Sequence, residues 1–252
     1  MKRPRLMLLV CLLIIACDQL TAQTNENKKA AIAANERGVA LVRAQRYAEA
    51  AEVFELAIQL NPNLAVAYNN LGTTYNALGR HQKAIELLRE AVRIAPELAI
   101  AYYDLGCAYE NTGRFREAVE AYQQAIRIKP DFAEAYNSLG IAYDDLGRHE
   151  TAIRAYKQAI QTNPDYAEAY NNLGAAQVDA GNLKDAARSF ERAINIKPEL
   201  AVARFNLAVV SLLANKRDVT FGQYRLLKNL NSDLATKLYD GMCQGKLILV
   251  RK

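Results

Sequence analysis

The 252-residue chain has no tryptophan, two histidines, four cysteines, six prolines and twelve glycines. His81 and His149 are the whole imidazole supply, and each stands at a place where other stretches carry Tyr47, Phe115 or Leu183. Both rings are therefore expected to pack at helix starts, which argues against a histidine general base. No cluster of Cys and His has metal-ligand spacing, no glycine-rich phosphate loop is present, and no cofactor is implied. Cys11 and Cys17 lie near the N-terminus, while Cys107 and Cys243 are too far apart in an extended array to suggest a disulfide. So few breakers among 51% hydrophobic residues leave room for long helices joined by brief turns. Net charge is also small: without Lys2, Arg3 and Arg5, the 32 basic residues fall to 29 against 27 acidic ones. A basic stripe of the kind that neutralises phosphates is missing, so nucleic acid is not an expected partner.

The N-terminus is composed differently. Met1 to Arg5 is basic, and Leu6 to Ile15 is an apolar run of the length of a secretory core, short for a membrane span. Ile14-Ile15-Ala16-Cys17 resembles the bacterial lipobox, which implies cleavage after residue 16 and lipid attachment (palmitate among the acyl chains) at Cys17. An ordinary signal peptide cut after Ala22 would want a small residue where Leu20 stands, and an uncleaved anchor would want a longer apolar run. The resemblance implies export and anchoring to a bacterial membrane, in the periplasm or at the cell surface, with Asp18 similar to an inner-membrane retention signal. Residues 17–30 are expected to be a flexible tether.

What the rest of the chain has in abundance is self-similarity. "AYNNLG", "AYYDLG", "AYNSLG" and "AYNNLG" recur at 67–72, 101–106, 135–140 and 169–174, a spacing of 34 residues. The frame divides residues 31–231 into 31–64, 65–98, 99–132, 133–166, 167–200 and a degenerate sixth unit, 201–231, leaving 232–252 as a capping helix and tail. Tyr102, Leu105, Gly106, Tyr109, Ala118, Tyr122, Ala125 and Pro130 of the third unit recur as Tyr136, Leu139, Gly140, Tyr143, Ala152, Tyr156, Ala159 and Pro164 of the fourth. This pattern resembles the tetratricopeptide repeat, which implies an all-α, right-handed superhelical solenoid of helix pairs. Gly72, Gly106, Gly140 and Gly174 fall mid-helix, where glycine costs about 1 kcal/mol against alanine. They are expected to admit a close facing backbone opposite Ala84, Ala118, Ala152 and Ala186. Gly79, Gly113, Gly147, Gly181 and Asn215 suit left-handed helix ends, and Pro62, Pro96, Pro130, Pro164 and Pro198 end the second helices. Asp131 and Asp165, with Glu134 and Glu168 three residues on, are expected to form capping boxes. The recurring tyrosines Tyr68, Tyr75, Tyr102, Tyr109, Tyr136 and Tyr143 read as packing between helices.

The resemblance also implies a protein-binding role rather than catalysis, with inward side chains at the second, fifth, sixth, ninth, twelfth and thirteenth places of each unit. Carried across, these include Asn69, Asn70, Thr73 and Asn76; Tyr103, Asp104, Cys107, Glu110 and Asn111; Asn137, Ser138, Ile141, Asp144 and Asp145; and Asn171, Asn172, Ala175, Val178 and Asp179. Asparagine offers a donor and an acceptor to an extended peptide. Asp104, Glu110, Asp144, Asp145 and Asp179 would favour polar or basic segments. The Lys-Asn-Arg clamp of chaperone-binding members is not matched, because Asn35, Asn69, Asp104 and Ser138 stand at comparable positions. In the sixth unit, Val202, Phe205, Val209, Leu212 and Leu213 would leave an apolar patch for the tail, Lys246 to Val250, or for a partner. Leu234, Leu238 and Tyr239 are expected on the buried face of the cap. An envelope-assembly scaffold, a self-associating structural protein and an accessory subunit that presents substrate to an enzyme all remain open.

Overall fold

The computed structural model describes the backbone of residues 3–244 and the side chains of residues 23–243. Among the described residues there are thirteen helices and no strand. In chain order they are α1 (Arg3–Arg43), α2 (Tyr47–Leu60), α3 (Ala65–Ala77), α4 (His81–Ile94), α5 (Ala99–Asn111), α6 (Phe115–Ile128) and α7 (Ala133–Asp145). These are followed by α8 (His149–Thr162), α9 (Ala167–Asp179), α10 (Leu183–Ile196), α11 (Ala201–Leu213), α12 (Arg217–Leu230) and α13 (Ser232–Gln244). The chain forms two compact units, residues 1–112 and 113–252. In the first, α1 pairs with α2 and α3 with α4, and α5 packs on α4 and α3. In the second, α6 packs on α7, and the pairs α7–α8, α9–α10 and α11–α12 stack in order, with α13 against α11 and α12.

The pairs hold together through alanines and one large side chain each. Phe54, Tyr156 and Phe190 are almost fully buried on second helices, flanked by wholly buried alanines such as Ala50, Ala57, Ala152, Ala159, Ala186 and Ala193. These rings also explain the mid-helix glycines. A Cβ on Gly140 would lie 2.5 Å from the Tyr156 ring and one on Gly174 2.6 Å from the Phe190 ring. At Gly72 it would meet Leu88 at 2.7 Å, and a backbone oxygen, that of Ala84, only at 3.3 Å. The close approach expected between backbones is thus made chiefly by a second-helix side chain packed on the first helix, the glycine leaving room for a group that an alanine would displace.

First helices end in left-handed residues, with φ between 56° and 79° at Gln45, Gly79, Gly113, Gly147, Gly181 and Asn215. At Gly147 the N–H donates to the Asp144 carbonyl and the next N–H, of Arg148, to the Tyr143 carbonyl, closing a Schellman motif. Gln45 makes the same pair of bonds to Val42 and, through Arg46, to Leu41 without being a glycine.

Four expectations are corrected. The stretch from Asp18 to Lys29 is part of α1 rather than irregular; its Gln, Glu, Lys and Ala residues extend the first helix of the array as good helix formers, with Gln23 donating to Asn27 one turn on. Asp131 and Asp165 do not cap. The helices start two residues later, behind Phe132 and Tyr166, with no side-chain cap bond. Phe132 is buried, which pins the helix boundary at the aromatic residue, and Asn163 Oδ1 takes the Asp165 N–H. Tyr239 is 53% exposed, against 7% and 0% for Leu234 and Leu238. Finally, Phe205 and Val209 are buried against Leu234, Ala235 and Leu238, so α13 itself covers the centre of the sixth unit's apolar patch. Its start is capped by Asn231 Oδ1, which accepts the Leu234 N–H. Residues 245–252 lie outside the described residues.

Candidate peptide-binding surface

Successive first helices bring the same places of successive repeats side by side, α1, α3 and α5 in the first unit and α7, α9, α11 and α13 in the second. Their amides then bond to one another. Asn70 Nδ2 donates to Asn35 Oδ1 at 2.9 Å, Asn172 Nδ2 to Asn137 Oδ1 at 3.1 Å and Asn206 Nδ2 to Asn171 Oδ1 at 3.1 Å. Each bond spans 35 residues, from the sixth place of one repeat back to the fifth of the one before, so the rungs form a ladder along the inner face. A second rung type joins the thirteenth place to the twelfth, with Asn111 Nδ2 donating to Asn76 Oδ1 at 3.1 Å.

The residues singled out by sequence therefore fall into three groups. Asn69, Asn137, Asn171, Asn172 and Asp144 are buried. Asn70, Thr73, Asn76, Tyr103, Asp104, Glu110 and Ser138 are half-buried, and Asn111, Asp145 and Asp179 are exposed. Thr73 Oγ1 turns inward to the Asn69 and Asn70 carbonyls, the usual helix-interior bond of threonine. Cys17 lies outside the residues whose side chains are described.

One rung is built differently. Asn69 Nδ2 donates to Asp104 Oδ2 at 2.9 Å, because the carboxylate at the sixth place accepts where the asparagines elsewhere donate. The polarity of the rung is reversed, and Asn69 Oδ1 is left buried without a hydrogen-bond partner among the described residues. Burial pushes the Asp104 carboxyl up to about 6, against the partial relief of the Asn69 bond.

Asp144 is not part of an open acidic surface. Its Oδ1 accepts from His149 Nδ1 at 2.9 Å and its Oδ2 from the Tyr156 hydroxyl at 3.0 Å. Asp179 Oδ2 lies 3.9 Å from the same His149 nitrogen. One atom each of Asp144, His149 and Asp179 thus falls within 4.8 Å of the others, a grouping able to offer a divalent cation three ligands. Sequence spacing gave no hint of it, since Asp179 comes from the next repeat. In the first unit the same three places are Asn76, His81 and Asn111, with His81 Nδ1 2.7 Å from Asn76 Oδ1. Both histidines begin second helices as expected, but they serve as polar partners of the twelfth place.

The second place carries a further set that the asparagine and carboxylate pattern does not include. Ile32, Val66 and Ile100 are 50%, 41% and 42% exposed. They sit on α1, α3 and α5, one turn before Glu36, Asn70 and Asp104. The counterparts in the second unit include Glu134 and Glu168, of which Glu168 pairs with Lys197 at 2.8 Å. An aliphatic residue at the inward-facing second place of three consecutive repeats is the sequence signal for it.

Family models for the tetratricopeptide repeat match residues 29–97 and 167–200, and one for the TPR repeat matches 111–147 and 142–181. The crystal structure of MamA superposes on 65% of the chain and 96% of its own length, at 30% identity and a TM-score of 0.60. YrrB, a TPR protein with an unusual peptide-binding site, matches over 75% and 99% at 22% identity, TM-score 0.60. PilW, a type IV pilus biogenesis factor, matches over 79% and 92% at 20% identity, TM-score 0.73. These last two, below a quarter identical, speak for the fold alone. No curated protein sequence matches.

Proposed function

Because the chain belongs to the tetratricopeptide-repeat family, we propose that it is a non-enzymatic scaffold that holds polypeptide segments along the inner faces of its first helices. In this reading it is tethered to a bacterial membrane through a lipid on Cys17 and serves assembly in the cell envelope. The observation that carries the binding role is the ladder, which sets side chains of successive repeats in register and fixes them, so that an extended chain meets a row of groups rather than isolated ones. Preorganised groups lose little entropy on binding. Asn111, Asp145 and Asp179 are the exposed polar members of that row, and Asn70, Asn76 and Glu110 are partly open. Asp145 and Asp179 give it an acidic character suited to basic or polar segments. The envelope setting rests on the resemblance of residues 14–17 to the lipobox.

A photo-activatable residue at Asn70 or Asp145 in cells should cross-link a discrete set of polypeptides. The Asp145→Asn, Asp179→Asn double variant should weaken capture of the basic ones with helicity unchanged. Undiminished capture would remove the acidic preference, and no cross-links from either position would remove the binding surface. For the anchor, Cys17→Ser should abolish labelling by radioactive palmitate and release the protein from membranes. Retained label would refute it.

A further inference from the structure

The inner face of the first unit combines features that the second unit lacks. Ile32, Val66 and Ile100 form an exposed aliphatic row across α1, α3 and α5. At the outer helices of the row, one turn on, stand Glu36, exposed on α1, and Asp104 on α5. Asp104 is also where the ladder is broken. Asn70, Asn172 and Asn206 all donate from this place, whereas Asp104 accepts and orphans the buried Asn69 Oδ1. Asparagine would complete the rung, so the carboxylate runs against local structural logic, and such departures gather at functional positions.

The last eight residues, Gly245-Lys-Leu-Ile-Leu-Val-Arg-Lys252, match this face in order and in length. Four aliphatic residues are bracketed by Lys246 and by Arg251 and Lys252, as the aliphatic row is bracketed by Asp104 and Glu36. From Lys246 to Arg251 an extended chain covers roughly 17 Å at about 3.3 Å per residue, and α1 to α5 is two helix spacings, roughly 16–20 Å. Since α13 already covers Phe205 and Val209, the tail is not needed to bury the centre of the sixth unit.

We propose that the inner face of the first unit is a docking site for residues 246–252 of a second copy of this chain, with the tail's aliphatic side chains on Ile32, Val66 and Ile100 and its basic ends on Asp104 and Glu36. The second copy is favoured by charge and length: the tail's basic ends match the carboxylates of Asp104 and Glu36, and its aliphatic run matches the row between them. A tail-to-inner-face contact is heterologous, so it builds a reciprocal pair, a ring or an open chain according to whether the rotation between copies closes. The proposal rests on the reading of the inner faces as polypeptide-binding surfaces and names one occupant.

The test is sedimentation velocity of the full chain in detergent across a concentration series. The wild type should self-associate increasingly with concentration. Leu249→Asp in the tail and, separately, Asp104→Asn on the face should each weaken association about tenfold or more, with the helical circular-dichroism signal unchanged. The synthetic peptide of residues 245–252, labelled with fluorescein, should bind Leu249→Asp protein and dissolve wild-type assemblies. Association that survives both substitutions would overturn the proposal. So would a wild type monomeric throughout whose Leu249→Asp variant binds the peptide, since the tail would then serve its own chain. Failure of the peptide to bind would overturn it as well, while cross-links to other polypeptides from Asn70 would leave the broader binding role standing.

Discussion

Replacing Asp104 by asparagine should make the protein more stable, and the gain should depend on pH in a defined direction. Burial raises the Asp104 carboxyl from the ordinary aspartate value of 3.8 to about 6, so the folded protein holds its proton more tightly than the unfolded chain does. The stability this group contributes is full below about pH 4, and it is lost as pH rises through about 6, the opposite of a salt-bridged aspartate. A shift of roughly two units corresponds to about 3 kcal/mol at most. Asp104 is half-buried, so water screens part of this, and about 1–2 kcal/mol is the reasonable share. An asparagine at 104 removes the charge and supplies an N–H to Asn69 Oδ1, as in the other rungs, for about 1 kcal/mol more, partly overlapping with the first contribution. The expected gain is about 2 kcal/mol at pH 7.5, shrinking below about 0.5 kcal/mol at pH 4, where the wild-type carboxyl is itself protonated in the folded state. Urea unfolding followed by circular dichroism at both pH values measures it. A variant less stable than wild type at pH 7.5, or a gain independent of pH, would show that neither the buried charge nor the orphaned oxygen weighs on the fold.

Three further substitutions test other parts of the structure, each by the shift in urea midpoint or Tm. Gly140→Ala should destabilise by about 1–3 kcal/mol, because its Cβ would stand 2.5 Å from the buried Tyr156 ring; an unchanged midpoint would mean the ring can move aside. Gln45→Gly should stabilise by about 1 kcal/mol, since Gln45 holds a φ of 59° that its neighbours in the series assign to glycine; a loss of stability would contradict the Schellman geometry. Asp144→Ala should cost about 2–4 kcal/mol by leaving the Tyr156 hydroxyl and the His149 ring without their shared acceptor, well beyond any loss for the exposed Asp145→Ala; equal effects would refute the buried network.

The repeat period, the helix pairing and the turn residues were legible because they are local: a left-handed helix end needs glycine or asparagine wherever it occurs, and alanine at a contact buries without needing space. The helix starts are less legible, since Asp131 and Asp165 carry the cap's residue types and only the packing of the following aromatic, buried at Phe132 and half-buried at Tyr166, shows that the boundary lies beyond them. The partners of the mid-helix glycines were misassigned for a related reason. Tyr156 and Phe190 appear in sequence as generic core residues, and which ring meets which glycine is settled by packing between two helices. Asp144 read as a surface carboxylate because its His and Tyr partners are five and twelve residues away and reach it only after the helix turns back.

Inner-face asparagines illustrate the same limit and suggest where recognition can reside. An amide looks like a group offered to a peptide, yet along the ladder the fifth-place oxygen and the sixth-place N–H satisfy each other, with a bond that spans 35 residues. A ligand must either displace such a bond, giving up about as much as it gains, or meet the exposed positions beside it. Beside the ladder lie the second place, aliphatic across the first unit and acidic at Glu134 and Glu168 in the second, and the exposed thirteenth-place residues Asn111, Asp145 and Asp179, of which Asn111 also bonds to Asn76. The asparagines then set register, and the rows on either side of them discriminate. On this account the two units, sharing one ladder chemistry, should differ in the segments they accept: aliphatic with basic ends in the first, polar and basic in the second.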